Sequence, residues 1–250
     1  MDSQSIKKPV YKPAVIGFGL IIVAILAAMS GPLGNRLDWW GFEAAVNIAK
    51  WAAYAGLFAS ILSLSGLIAA RPGGKRRGFI YSIMGLLIIA PTLMYLQSWK
   101  EAKQTLPPIQ DISTDIENPP SFWYAPNTRV YGGFEAISWQ EEAYPDIQPL
   151  ILSVSANKAY DLVLELISKR GWRLWEPNRD DMHIEATETT FWFGYKDDVV
   201  IHITEINGKK SRIDMRSASR YGTGGDGGTN ANRIRSLFSD LEKQSEKLDK

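Results

Sequence analysis

Hydrophobic residues in the first hundred positions form three long runs separated by short polar segments. The runs cover about residues 14–31, 46–70 and 79–97. At a rise of about 1.5 Å per helical residue, even the shortest reaches about 27 Å, close to the thickness of a bilayer core. No charged residue lies in the middle of any run. The pattern predicts three transmembrane α-helices, with residues 1–106 as a membrane domain and residues 107–250 as a second domain.

The second domain has the shorter periodicities of an α+β fold. Residues 159–167 carry apolar side chains at helical spacing, between Ser155 as a helix cap and Gly171 as a stop. Another helical stripe begins near residue 229. Alternating or apolar runs predict strands at 151–154, 172–176, 182–187, 198–205 and 211–219, with a further strand at Phe191–Tyr195. The main elements follow the order β-α-β-β-β-β-α, an antiparallel sheet with helices on one face.

The buried face decides the register of the last hairpin, which turns near Asn207-Gly208. A two-residue turn would pair Ile203 with Arg212 and mix the core and solvent faces. A three-residue loop instead pairs Ile203 with Ile213, and such loops with a glycine bulge are common. We therefore predict a three-residue loop.

Proline pairs bracket the segment between the last apolar run and the domain. Pro107-Pro108 and Pro119-Pro120 favour stiff, extended chain. Residues 100–120 are therefore predicted to form a tether that lies on the domain.

Charge predicts the orientation in the membrane. Residues 1–106 carry eleven lysines and arginines against four acidic residues, whereas residues 107–250 carry 17 against 23. Basic residues cluster before the first run and at 71–77, and short cytoplasmic loops hold such an excess. The N-terminus should be cytoplasmic and the second domain external, in the periplasm of a bacterial inner membrane. Four aromatic residues would form the outer interfacial belt: Trp39, Trp40, Trp51 and Tyr54.

The composition also excludes several functions. The chain has no cysteine, which excludes disulfides, thiol catalysis and thiolate metal sites. The acidic second domain lacks the basic surface that nucleic-acid binding requires. The apolar runs have no mid-membrane ionisable residue, which argues against a transporter or channel acting alone. They are expected to anchor the protein in the lipid bilayer, or to pack against a membrane-protein partner.

An anion site is the first candidate for chemistry. Arg212, Arg216 and Arg220 share one face of a strand because side chains alternate. The glycine-rich loop 222–228 then leads into a helix N-terminus, a position that binds anions. The candidate ligand-binding residues are Arg212, Arg216, Arg220, His202, Asp214, Asn230 and Arg233. The expected ligand is a small anion or lipid headgroup, and the alternative is arginines paired with the acidic residues.

An enzyme is the alternative use of the same strands. It would act on a cell-envelope substrate through Asp198, His202, Asp214 and Arg216. The predicted register sets His202 opposite Asp214, but a serine hydrolase also needs a nucleophile, and no nucleophile elbow is present. Asp197-Asp198 with Glu185 could supply a carboxylate pair. A zinc site needs three or four converging ligands, which His183 and His202 with Asp214 could approximate, although ordinary sheet residues are the alternative. No catalytic residue, metal or cofactor is assigned.

Six short motifs stand in one order along the second domain. They are Pro107–Asp115, Tyr144–Asp146, Ile184–Thr187, Asp197–Val200, Arg212–Arg220 and Asn230–Arg235. The set resembles the bacterial and plastid family known as domain of unknown function 1499. The resemblance covers about Leu106–Leu241, and the loop 222–228 looks looser than the usual stretch of the family. It implies a membrane-associated protein of the cell envelope or thylakoid, and it implies no activity.

These observations favour a non-enzymatic integral membrane protein whose periplasmic domain binds a protein partner or a small anionic or lipid ligand. The alternatives are an enzyme on an envelope substrate and an accessory subunit of a larger membrane complex. The element order is also similar to folds in which a curved sheet grips a long C-terminal helix, and some of these hold apolar ligands. A deep polar pocket would favour a ligand or substrate, whereas a flat arginine face would favour a partner.

Overall fold

The computed structural model describes residues 8–222 and 224–248. The described residues form two compact units. One lies within Met1–Trp99 and includes Phe191–Gly194, and the other lies within Lys100–Thr190 and Tyr195–Lys250. Each unit has its own cluster of buried hydrophobic side chains.

Three helices make up most of the first unit: α1 (Lys12–Arg36), α2 (Phe42–Ala69) and α3 (Phe79–Thr105). Helices α1 and α2 are long and apolar enough to cross a membrane. Helix α3 extends to Thr105, and its apolar part within the described residues is the shorter stretch Phe79–Met94. The structure thus gives two candidate spans, and the predicted third span is not confirmed.

Small residues let the helices of this unit approach closely. A Cβ atom at Gly17 of α1 would lie 2.9 Å from the Ser63 Oγ of α2, and one at Gly85 of α3 would lie 3.0 Å from the same atom. Ile21 and Ala59 are fully buried at this contact. Close backbone packing of this kind is how apolar helices associate in lipid.

The second unit is built around a six-stranded antiparallel sheet. Its strands are β1 (Asp111–Ser113), β2 (Leu150–Leu152), β3 (Arg173–Leu174), β4 (His183–Thr189), β5 (Lys196–Glu205) and β6 (Ser211–Ser219). Its helices are α4 (Phe134–Ala143), α5 (Ala156–Lys169) and α6 (Thr229–Leu248). The strand order is β1-β6-β5-β4-β3, and β2 also pairs with β6.

Several local predictions are confirmed. Ser155 caps α5 by accepting a hydrogen bond from the Lys158 amide. Strands β5 and β6 pair Ile203 with Ile213 and His202 with Asp214, as the three-residue loop requires. From β2 onward the element order is the predicted β-α-β-β-β-β-α.

One local prediction is wrong. Phe191–Phe193 form a turn and not a strand, because β4 and β5 pair as far as Thr189 and Lys196 and the chain must reverse between them.

The segment predicted as a tether lies on the domain in part. Its first residues continue α3 as far as Thr105, whereas Asp111–Ser113 form β1 and pair with β6. A strand of three residues has too short a pattern to be recognised, since its pairing partner is about 100 residues away.

The two faces of the sheet have different chemistry. One face carries buried apolar side chains, among them Val199, Ile201 and Met215, which pack with Ile234 and Leu237 of α6. All five are at most 1 % exposed, so these side chains fill the space between the sheet and α6. In folds with a similar element order, some of which hold an apolar ligand, a ligand would need that space to be open. The other face is polar. We name it the polar face, and we name residues 114–131, which run across it, the strap.

Candidate functional site

Arg216 of β6 lies under the strap with its charge fully paired. It forms a two-pronged ion pair with Asp111 of β1, with nitrogen–oxygen distances of 2.9 and 2.7 Å. The guanidinium also donates to two strap carbonyls, and it lies 5.0 Å from the Phe122 ring centroid and 5.4 Å from that of Tyr131. Burial, and the negative charge of Asp111, raise the pKa of Tyr131. Arg216 itself is only 4 % exposed, which leaves no open surface for a ligand.

Arg212 and Asp214 are also paired with each other. Arg212 Nε lies 2.8 Å from Asp214 Oδ2, and its Nη2 also reaches Asp115 of the strap. Hydrogen bonding to Asp214 raises the pKa of Arg212. Asp214 Oδ1 accepts from Arg212 and from Thr114. His202 stands opposite Asp214 but is exposed, and among the described residues no hydrogen bond joins the two.

The third arginine, Arg220, pairs with Asp198 of β5. Its Nη2 lies 2.5 Å from Asp198 Oδ1, and Asp198 is fully buried. Thr187 donates to the same carboxylate, and Asn127 of the strap donates to its other oxygen. The hydrogen bond with Asp198 raises the pKa of Arg220. Arg212 and Arg216 therefore lie on β6 and Arg220 directly follows it, and the three are paired with different carboxylates.

The N-terminus of α6 is occupied by the chain's own carboxylate. Asp226 accepts hydrogen bonds from the Gly228 and Asn230 amides, at 2.8 and 2.6 Å. An external anion would have to displace this carboxylate. Arg233 forms ion pairs with Asp197 and Glu188, and the Asn230 side chain bonds to Ser217, Ser219 and the Gln110 carbonyl.

Glu185 fixes the strap to the sheet, a role that the sequence did not reveal. Its carboxylate accepts hydrogen bonds from the main-chain amides of Trp123, Tyr124 and Ala125. Its Oε1 also lies 2.7 Å from His183 Nε2, and the His183 ring stacks on Trp123 at 3.8 Å. Burial alone would raise the pKa of Glu185, but these hydrogen bonds outweigh it and lower the pKa.

A cleft beside β1 offers a different chemistry. It has a volume of about 520 Å³ and is lined by residues 108–111, 129–130, 132–133, 135–136 and 139. Arg129 is its basic group. Arg129 donates to the Ser219 and Gly222 carbonyls and to Gln110 Oε1, all neutral oxygens. No carboxylate in the described part of the chain lies within ion-pair distance of it.

Helix α4 begins at the edge of the same cleft. Gly133 precedes its first turn, and no side chain caps the helix. The free amides of an uncapped first turn carry partial positive charge. Trp139 adds an apolar wall, while Glu135 and Asp111 bring negative charge. The sequence signal that precedes this helix is the glycine pair Gly132-Gly133. Within the described ranges, no group of three or more acidic or histidine side chains could hold a metal ion.

Comparisons with known proteins identify a family and little else. The model of a family described as "Protein of unknown function (DUF1499)" matches residues 111–241. Among curated proteins, none matches this chain.

Three solved structures show a distant likeness. The di-domain aromatase/cyclase BexL from the BE-7585A biosynthetic pathway is 13 % identical, with a TM-score of 0.30, and the match covers 38 % of this chain and 44 % of that one. A conserved protein from Geobacillus kaustophilus is 14 % identical, with a TM-score of 0.24 and coverages of 40 % and 93 %. The Zhui aromatase/cyclase from Streptomyces sp. R1128 is 6 % identical, with a TM-score of 0.24 and coverages of 41 % and 86 %. Similarity this low says nothing about the activity of the present chain.

Proposed function

For this chain, which belongs to the DUF1499 family through residues 111–241, we propose a non-enzymatic role as a membrane-anchored protein whose folded domain binds a small anionic ligand. The ligand chemistry is a phosphate or carboxylate group, carried by a soluble molecule or by a lipid headgroup. The observation that carries the proposal is Arg129, which lines a cleft and whose guanidinium, among the described residues, donates to neutral oxygens only.

The cleft beside β1 is an open depression whose size and charge could accommodate a small anion. Its volume of about 520 Å³ falls within the range of about 300–1,000 Å³ typical of small-molecule pockets. A guanidinium without a carboxylate partner keeps its full charge for an incoming anion. The anion would meet Nη1, because Nε and Nη2 of Arg129 already donate to neutral oxygens. The uncapped first turn of α4 adds partial positive charge on the same side. Trp139 can contact the apolar part of a ligand.

The polar face supports ligand binding and catalysis less well. Each arginine there already has a carboxylate partner, so an external anion would have to break an ion pair. Asp214 is committed to Arg212 and Thr114, so it does not orient His202 as a catalytic base. The cleft therefore favours binding over the enzymatic alternative, and a small ligand over a protein partner.

We further propose that α3 crosses the membrane with α1 and α2. Its apolar part, Phe79–Met94, packs against the other two helices at Gly85 and at the fully buried Ser82. With three spans and the basic loop at 71–77 in the cytoplasm, the second domain would lie on the periplasmic face of a bacterial inner membrane. The loops between the apolar runs are short and polar, and no charged residue lies in the middle of a run. Both features suit an anchor that also packs with other membrane proteins.

Calorimetric titration of the full-length protein in nanodiscs tests the ligand proposal. The probes are glycerol phosphate with neutral-lipid discs, and phosphatidylglycerol within the discs as the lipid-borne form. Arg129→Gln should weaken binding, and Glu135→Gln should strengthen it because a negative charge leaves the cleft. Arg235→Gln is the matched control, since Arg235 forms an exposed ion pair with Asp146 outside the cleft.

The two probes separate the sources of the ligand. If the protein binds glycerol phosphate and not phosphatidylglycerol, the ligand is a soluble molecule. If it binds phosphatidylglycerol and not glycerol phosphate, the ligand is a lipid headgroup. No binding of either probe, or equal binding by the Arg129→Gln protein, would contradict the proposal.

A further inference from the structure

The cleft beside β1, whose lining residues all belong to the second unit, contains charged side chains of both signs. They are Asp111, Arg129 and Glu135. Asp111 is neutralised by its two-pronged ion pair with Arg216. Within the described residues, Arg129 and Glu135 form no ion pair with each other or with any other charged group. The cleft therefore offers a ligand one cation and one anion.

Neutral acceptors fix the position of the cation. Arg129 Nε donates to the Ser219 carbonyl, and Nη2 donates to the Gly222 carbonyl and to Gln110 Oε1. These bonds hold two of the three guanidinium nitrogens in place without cancelling the charge. An anionic group of a ligand would meet the third nitrogen, Nη1, which has two further donors.

The anion lies beside an aromatic ring. Glu135 is in the first turn of α4 and is exposed, and Trp139 follows it by four residues. Residues four apart are neighbours on the surface of a helix, and both of these line the cleft. A carboxylate attracts an ammonium group by its charge, and an indole ring attracts one through the negative face of its π system. This side of the cleft therefore suits a cationic group.

We propose that the ligand of this cleft is a zwitterion. Its phosphate or carboxylate group binds Arg129, and an ammonium group on the same molecule binds Glu135 and Trp139. The inference rests on the anionic ligand in the proposed function and adds a second charge to it. A ligand with negative charge only would meet Glu135 as a like charge inside its own site, which weakens binding. A zwitterion makes the same carboxylate a partner.

Two probes that differ only in the ammonium group test the proposal. Aminoethyl phosphate and ethyl phosphate are titrated calorimetrically into the full-length protein in a maltoside detergent, which carries neither charge. An exposed ion pair with a cation–π contact should give the wild type about a three- to tenfold lower Kd for aminoethyl phosphate.

The carboxylate should carry this preference. Glu135→Gln should remove it, because the ammonium group loses its partner while the phosphate loses a repulsion. Glu142→Gln is the matched control, since Glu142 is exposed on the same helix two turns further on and does not line the cleft. The control protein should keep the preference.

The source of the zwitterion is a separate question, because a lipid headgroup carries its phosphate as a diester. Glycerophosphoethanolamine is the probe for that form. A Kd similar to that of aminoethyl phosphate would support a headgroup, and much weaker binding would support a free phosphate monoester.

The outcomes separate this inference from the proposed function. Ethyl phosphate may fail to bind more weakly than aminoethyl phosphate in the wild type while Arg129→Gln still abolishes binding; that result would overturn the zwitterion and leave the anionic ligand intact. A preference that survives Glu135→Gln would also overturn the zwitterion, since Glu135 would then serve only the dipole of α4. Absence of binding by all the probes would overturn both.

Discussion

Replacing Arg216 with alanine is expected to destabilise the folded domain strongly. The side chain is 4 % exposed and forms a two-pronged ion pair with Asp111, whose side chain is 12 % exposed. The substitution would leave the Asp111 carboxylate buried without its partner. It would also remove the donors to two strap carbonyls and the cation between the Phe122 and Tyr131 rings.

The expected magnitude follows from the burial. Breaking a buried ion pair by removing one partner typically costs about 3–5 kcal/mol. For a domain of this size, that corresponds to a fall in Tm of roughly 10–20 °C. Arg235→Ala provides the contrast, because Arg235 and Asp146 are 39 % and 54 % exposed, and an exposed pair is worth about 0–1 kcal/mol.

Urea unfolding of residues 107–250 expressed alone measures the difference, since a chain of this length can bury a sufficient core and should unfold cooperatively. The double variant Arg216→Met with Asp111→Leu should recover part of the loss, because replacing both partners of a buried pair by apolar groups is often neutral. A cost below about 1 kcal/mol for Arg216→Ala would refute the reasoning. It would mean that the guanidinium is free to bind something else.

Two further predictions concern the attachment of the strap. Glu185→Gln should destabilise the domain by about 1.5–3 kcal/mol and expose the strap to limited proteolysis near Trp123, because three main-chain amides lose a charged acceptor; an unchanged cleavage pattern would contradict this. Because the pKa of Glu185 is lowered on folding, its stabilising effect should be complete above its ordinary value of 4.5 and should be lost as the pH falls below it. In urea titrations across that range, the Glu185→Gln protein should lose less stability than the wild type, and parallel losses would assign the acid sensitivity to other groups.

The register of β5 and β6 could be predicted because one face of the hairpin is buried. Only one loop length places Ile203 opposite Ile213, so the burial pattern alone determines the pairing. The cap at Ser155 could be predicted for the same local reason, since the residue lies directly before an amphipathic run.

The roles of the charged residues could not be predicted in this way. That Arg212, Arg216 and Arg220 share a face follows from strand periodicity, but the partner of Arg216 is Asp111, on a strand of three residues that the sequence did not indicate. Glu185 accepts hydrogen bonds from main-chain amides. Because every residue except proline carries such an amide, no residue pattern in the sequence marks the partners of Glu185. The importance of Arg129 depends on what surrounds it, because only the folded chain shows that its partners are neutral.

The location of the second domain is the central claim, and a reporter fusion after Lys250 tests it most directly. Bacterial alkaline phosphatase is active only when exported, whereas a green fluorescent protein fused at the same position fluoresces in the cytoplasm. With three spans and the 71–77 loop inside, the phosphatase fusion should be active and the fluorescent fusion dark. Phosphatase activity should be lost when the reporter is moved to the loop after Lys75. A fluorescent fusion at Lys250 with an inactive phosphatase would contradict the account, since it would place the domain and its cleft in the cytoplasm.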